Sequence, residues 1–103
     1  MSEPLHVEVS ALASGQILEA EAWWRVNRTK APNAIREEFE RAAGLVAAQP
    51  RIGTRARNLN LTGVRRLHVA RIRYDIYYRV TDTPEQLEIL AFWHTSRGSN
   101  PPL

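Results

Sequence analysis

The chain has 103 residues, 44% of them hydrophobic, with a net charge of +3 and no cysteine. A single domain spanning residues 1–103 is expected, with one modest core and too much apolar content for a disordered chain. Disulfides and thiolate metal sites are excluded; no run of about eighteen apolar residues offers a membrane span, and MSEPLHVEVS lacks the charged and apolar regions of a signal peptide, so a cytoplasmic protein with no membrane contact is expected.

Leu5, Val7 and Val9 alternate with His6, Glu8 and Ser10, the two-residue period of a strand, so a first strand is expected near Leu5–Val9. Leu12 to Arg28 reads as a helix. Ile17, Ala20 and Trp24 fall on one face, Ala13 extends the stripe, and Ser10 or Ser14 can cap the start. Trp23 and Trp24 cannot both face the core; Trp24 fits the stripe, which leaves Trp23 at the edge or under a partner. Thr29–Pro32 breaks the helix. Pro32 suits the first turn of a second helix, and Glu37 and Glu38 suit its positive end. Ile35, Phe39, Ala42, Ala43 and Val46 form its apolar stripe, and Gln49-Pro50 ends it. The short link predicts an antiparallel pair.

Arg51–Thr62 (RIGTRARNLNLT) is aperiodic and carries Gly53, Arg55 and Arg57. Three strands are expected after it, about Gly63–Val69, Arg73–Thr81 and Gln86–Trp93, with a tight link at Ala70–Ile72 and a turn at Asp82–Glu85. In the central strand Ile72, Tyr74, Ile76, Tyr78 and Val80 share an apolar face, and Arg71, Arg73, Asp75, Tyr77 and Arg79 share the other. Tyr74 and Tyr78 belong to the core, whereas Tyr77 should face a partner. His68, between Leu67 and Val69, reads as surface polar. The tail from about Gly98 to Leu103 should be irregular. The fold class is therefore α+β, in the order β-α-α-β-β-β: a helical hairpin packed on one face of a small, mostly antiparallel sheet whose other face stays open.

Charge is asymmetric along the chain. Residues 1–50 hold five basic and seven acidic side chains, net −2, while residues 51–103 hold nine arginines and four acids, net +5. The basic charge thus falls on the sheet half, which points to a polyanionic or acidic partner. Thirteen of the fourteen basic residues are arginine, the side chain that forks onto phosphate and carboxylate.

The helix segment ILEAEAWWRVN, the segment FERAAGLVAAQPRIG with its Pro-x-x-Gly, the strands GVRRLHV and RYDIYYRV, and the closing LEILAFWHTSRG together resemble the RelE/ParE toxin superfamily of bacterial type II toxin–antitoxin systems. The resemblance implies the fold just deduced, a small basic toxin, and neutralisation by an acidic, partly disordered antitoxin within a hetero-oligomer. It implies one of two targets: DNA gyrase for ParE-like members, or mRNA in the ribosome for RelE-like members. No cofactor is implied, and three histidines without ligand spacing give no metal site.

Metal-free RNA cleavage needs an activated 2′-OH, a clamped phosphate and a protonated leaving oxygen. By the resemblance, Arg65 or Arg66 matches the family's strand-two arginine, Arg97 the one after the last strand, and Arg55 and Arg57 a basic pair; His94 is the acid or base candidate. His94, Arg65 and Arg97 are the catalytic set if the chain is a nuclease, and Arg65 and Arg97 could instead bridge to carboxylates such as Asp75 or Glu88. No tyrosine follows Arg97, no glutamate lies in Arg51–Thr62, and arginine is too weak an acid to serve as a base. The incomplete acid/base set favours a ParE-like toxin that binds gyrase through Arg55, Arg57, Arg65, Arg73, Tyr77, Arg79 and Arg97. The alternatives are the nuclease and a nontoxic binding module.

Overall fold

The computed structural model describes residues 3–103, which form β1 (Val7–Val9), α1 (Ala11–Asn27), α2 (Ala34–Ala48), β2 (Thr54–Arg55), β3 (Arg65–Val69), β4 (Tyr74–Asp82) and β5 (Glu85–His94). The sheet runs β1-β5-β4-β3-β2; β1 pairs parallel to β5 and every other pair is antiparallel. Both helices pack on one face of it. The order is the one expected, with the two-residue β2 added inside the aperiodic segment. Its period was too short to register: it exists only as a rung against Arg65 and Arg66.

Ser10 caps α1, its hydroxyl oxygen accepting the Ala13 N–H at 3.1 Å and its proton going to Leu90 O at 3.1 Å. One side chain thus starts the helix and ties it to β5. Pro32 is not in the first turn of α2, because the link spends one more turn after α1 (Ala31 N–H to Arg28 O, Ala34 N–H to Ala31 O) and Asn33 becomes the cap position. Glu37 does lie in the first turn.

The main core lies between helices and sheet: Ala13, Ile17 and Ala20 from α1; Ile35, Phe39, Ala42 and Val46 from α2; Val69, Ile72, Ile76, Tyr78, Leu87, Ile89 and Phe92 from the sheet side. Phe92 anchors it, stacked on Tyr74 at 4.4 Å and edge-on to Phe39 at 6.0 Å. Each fully buried large side chain here contributes about 1.5–3 kcal/mol relative to exposure. Trp24 packs against this core while Trp23 stays half exposed, as the stripe requires.

The far face departs from expectation. It is not open. A second cluster of Val64, Tyr77, Leu90 and Ala91 is covered by Ala56, Leu59 and Leu61 from the 56–62 loop, by Trp93, and by Leu103. A register shift between Tyr77↔Ala91 and Tyr78↔Ile89 turns both Leu90 and Ala91 to this side. The tail has no regular structure, yet it is tied down: Asn60 N–H donates to Leu103 O at 2.8 Å, and Pro101 is buried.

Two arginines of the alternating run also leave that face. Arg71 donates to Glu38 at 2.9 Å and Glu37 at 3.3 Å, because residues before β4 belong to the turn and swing toward α2. Glu38 is buried and also takes Arg41, so α2 and the β3–β4 turn share one carboxylate. Arg73 sits in the same turn at φ 60°, its N–H closing on Val69 O at 2.9 Å.

Candidate functional site

Cross-strand register decides which side chains can meet. Arg65↔Tyr78, Leu67↔Ile76 and Val69↔Tyr74 face the helices; Arg66↔Tyr77 and His68↔Asp75 face outward. On β5 the outward partners are Ala91 opposite Tyr77 and Trp93 opposite Asp75. The outer face therefore carries two adjacent rows, His68–Asp75–Trp93 and Arg66–Tyr77–Ala91.

This arrangement takes Arg65 away from the rest of the expected nuclease set. Arg65 is on the helix side, its guanidinium donating to Gly53 O at 2.8 Å. Arg97 lies beyond β5, its guanidinium carbon 4.0 Å from the Trp93 ring centroid. His94 stands opposite Tyr74, edge-on at 4.9 Å, four residues along β4 from the Arg65 row, or about 13 Å at a strand's rise. The Ser96 backbone N–H donates to His94 Nδ1 at 3.1 Å, which leaves the proton of the neutral ring on Nε2. In that tautomer neither nitrogen is free to accept a substrate proton. Arg65 does not converge with His94 and Arg97; those two line one outer-face cleft together with Arg66, the other arginine that matches the strand-two position.

The remaining basic candidates are dispersed too. Arg79 donates to Glu88 at 2.9 Å, so Glu88 does not serve Arg65 or Arg97. Arg55, opposite Arg65, and Arg57 are exposed, as is Arg73 in its turn. Tyr77, expected to face a partner, is only 3% exposed; its ring is the floor of the second core. The period of two placed it on the outer side correctly, but could not show the loop and tail that lie over it.

What register brings together is a different group. His68 Nδ1 is 2.9 Å from Asp75 Oδ1, and the His68 side chain is half exposed while Asp75 is buried. The carboxylate orients the ring so that Nδ1 donates and Nε2 faces away as the acceptor of the neutral form. Beside this pair a cleft of about 380 Å³ is lined by Arg66, Asp75, Tyr77, Trp93, Arg97 and Asn100, among others. Trp93 Nε1–H donates to Ser99 O at 2.9 Å, fixing the indole. Reading Arg66, His68, Asp75 and Trp93 as one site required the strand register; their shared parity was the available signal.

A second, larger cleft of about 750 Å³ lies on the helix side, between the end of α2, Pro50–Ile52 and the end of β4. Leu5, Ile52 and Val80 make it apolar, and Arg51 and Arg65 sit at its margin. Its floor is Tyr78, whose hydroxyl is held up in pKa by burial, against the weaker pull of the Gly53 N–H. Among the described residues no group of three or more His, Asp or Glu side chains could hold a metal ion, and no helix is long and apolar enough to cross a membrane.

A family model described as the ParE toxin of type II toxin–antitoxin systems, parDE, matches residues 7–98. The fold is similar to that of a chain from the chromosomal ParDE toxin–antitoxin system of P. aeruginosa, with a TM-score of 0.71 at 18% identity, covering 92% of this chain and 100% of that one. It is also similar to a chain of the toxin–antitoxin complex RelBE2 from Mycobacterium tuberculosis, with a TM-score of 0.63 at 22% identity, covering 89% of this chain and 99% of that one. No curated protein matches the sequence.

Proposed function

This chain belongs to the ParE toxin family of type II toxin–antitoxin systems, and from that premise we propose that it arrests growth by binding DNA gyrase, breaking no bond itself. The observation that supports this reading is that His94, which shares the outer-face cleft with Arg66 and Arg97, has its acceptor nitrogen taken by the Ser96 N–H, while Arg65 lies on the other face of the sheet. Acid/base chemistry requires its groups within hydrogen-bond reach of one phosphodiester. Here the two arginines serve opposite faces, and the histidine's acceptor nitrogen is taken by Ser96. Binding has no such requirement. Arg55, Arg57, Arg65, Arg73 and Arg97 at separate points of the surface can each contribute to a broad contact with a large assembly, and Arg79 adds to it if Glu88 yields.

The partner that silences the toxin is an antitoxin segment, a reading supported by the ParDE system and the RelBE2 complex among the structural neighbours. α1 offers it Leu12, Leu18, Trp23 and Val26 as exposed apolar side chains. An acidic segment that folds onto this helix and reaches the arginines would mask apolar and cationic surface together.

Expression without antitoxin, followed by a supercoiling assay with purified gyrase, tests the proposal. Filamentation, DNA-damage signalling and loss of supercoiling are expected. Rapid loss of translation with codon-positioned mRNA cuts, and intact supercoiling, would replace gyrase by the ribosome. Normal growth at good soluble expression would mark a binding module without toxicity.

A further inference from the structure

We propose that the helix-side cleft between the end of α2 and the end of β4 binds a small amphipathic monoanion: an unbranched alkyl carboxylate, its head at Arg51 and Arg65 and its chain along Leu5, Ile52 and Val80. At about 750 Å³ the cleft lies within the range of small-ligand sites, about 300–1,000 Å³. Ile52 is 44% and Val80 39% exposed there, so the free protein holds aliphatic surface in water that a ligand chain would cover.

The cleft is bipolar. Arg65 stands opposite Tyr78 on β4, and Glu85 stands opposite Asp82, four residues on, or about 13 Å at a strand's rise. β1 runs parallel to β5 with Val7 opposite Leu87, which brings Glu3 and Leu5 to the Glu85 end. The two arginines therefore lie toward one end and the two carboxylates toward the other, with aliphatic walls between. None of these four charges forms an ion pair among the described residues, while Arg79, the remaining charged side chain of the lining, is held by Glu88.

Arg65 is ordered before any anion arrives. Its Nη1 donates to Gly53 O at 2.8 Å and to Arg51 O at 3.5 Å, and its other N–H donors have no partner among the described residues. A carboxylate can take that free edge through paired hydrogen bonds, and little side-chain freedom is left to lose. Tyr78 beneath makes no demand on the ligand, because its hydroxyl already accepts from the Gly53 N–H and donates to Pro50 O. An aliphatic body suits such a floor; a sugar or a nucleobase would bury polar groups without partners. Glu3 and Glu85 repel a second negative charge, which makes the ligand a monoanion. Two arginines facing two carboxylates make no polybasic patch, so the occupant is a carboxylate free in solution and not a bilayer. No bond is made or broken in this role. The inference is independent of the gyrase reading, since a chain that leaves gyrase untouched can still hold an alkyl carboxylate.

Titration of the isotope-labelled full chain with sodium decanoate, followed by NMR amide shifts, is the test. Saturable shifts are expected at residues 47–52, 63–65 and 78–80, with affinity rising up to about fourfold for each methylene added between hexanoate and decanoate. Arg51→Glu and Ile52→Glu, both at exposed positions, should each weaken decanoate at least tenfold with unchanged thermal melting, and Arg57→Glu should not. Decanedioate should bind at least tenfold more weakly than decanoate. Absence of saturable shifts, shifts confined to α1, native affinity in both variants, equal binding of decanedioate or decylammonium, or binding to anionic phospholipid vesicles without a response to decanoate would overturn the proposal.

Discussion

The Tyr78 hydroxyl accepts the Gly53 N–H at 2.9 Å and passes its own proton to Pro50 O at 2.8 Å. A tyrosine in the middle of β4 thereby fixes the turn that carries the chain from α2 into β2. A Cβ on Gly53 would stand 2.6 Å from that hydroxyl and 2.9 Å from Arg66 O, one of them rigid backbone. Gly53→Ala is therefore expected to destabilise by about 1–3 kcal/mol through overpacking. Tyr78→Phe should cost about 1–3 kcal/mol by leaving the Gly53 N–H without its partner. Urea melts check both; two unchanged midpoints would show that the turn is held elsewhere.

The covered outer face makes a sharper distinction. On a bare face, Tyr77→Ala would change stability by no more than about 0.5 kcal/mol. Buried beneath Leu59, Leu61 and Leu103, the ring should instead cost about 3–5 kcal/mol when truncated, as aromatic core residues do. Leu61→Ala should give a smaller loss in the same melts. A neutral Tyr77→Ala would mean that the loop and tail do not pack there in solution.

Tyr77 also shows where the sequence stops being informative. Period two assigns each residue of β4 to a face, and it did so correctly for Asp75, Ile76, Tyr77 and Tyr78. Helix spacing likewise separated Trp24 from Trp23, and the serine before α1 was a legible cap. What covers a face is set by contacts between distant segments, such as Asn60 with Leu103, and no local period encodes those. The register shift at Leu90 is equally silent, because Leu and Ala can stand on either face. The His68–Asp75 pair depends on the four residues of the β3–β4 turn; one residue more or fewer would set His68 against a different partner.

Glu38 should make part of the stability pH-dependent. Its carboxyl is held below the ordinary value of 4.5, first by the hydrogen bond from Arg41 and then by that from Arg71, against the opposing effect of burial. A carboxyl with a depressed folded pKa stabilises above its unfolded value, and that contribution is lost as pH falls through the folded value. The tie between α2 and the β3–β4 turn is thus expected at full strength above about pH 5 and lost progressively as acid is added below the ordinary 4.5. Thermal melts across that window should show a steeper fall for the native chain than for Glu38→Gln, which has no charge to lose. Parallel curves would assign the acid sensitivity to other carboxylates.

The last prediction concerns the antitoxin. Trp23 is half exposed on α1, its ring edge-on to Trp24 at 6.1 Å and covered in part by Arg28 at 5.1 Å, with Leu18 and Val26 exposed on the same helix. A tryptophan half exposed in the folded toxin costs the free protein little to replace: the arginine contact, about 0.5–1 kcal/mol, and the edge-on contact with Trp24, about 0.5–1.5 kcal/mol, are lost. If the antitoxin folds over α1, the same ring becomes a buried anchor, and interface anchors of this type are worth about 2 kcal/mol or more. Trp23→Glu is therefore expected to melt within about 2.5 kcal/mol of the native chain yet bind the antitoxin at least tenfold more weakly, as read by calorimetry with the purified partner. It should remain toxic in cells that carry the antitoxin, where the native toxin is silenced. Full affinity in Trp23→Glu would move the antitoxin off α1, and the helix-side cleft around Ile52 and Val80 would then be the next apolar surface to test.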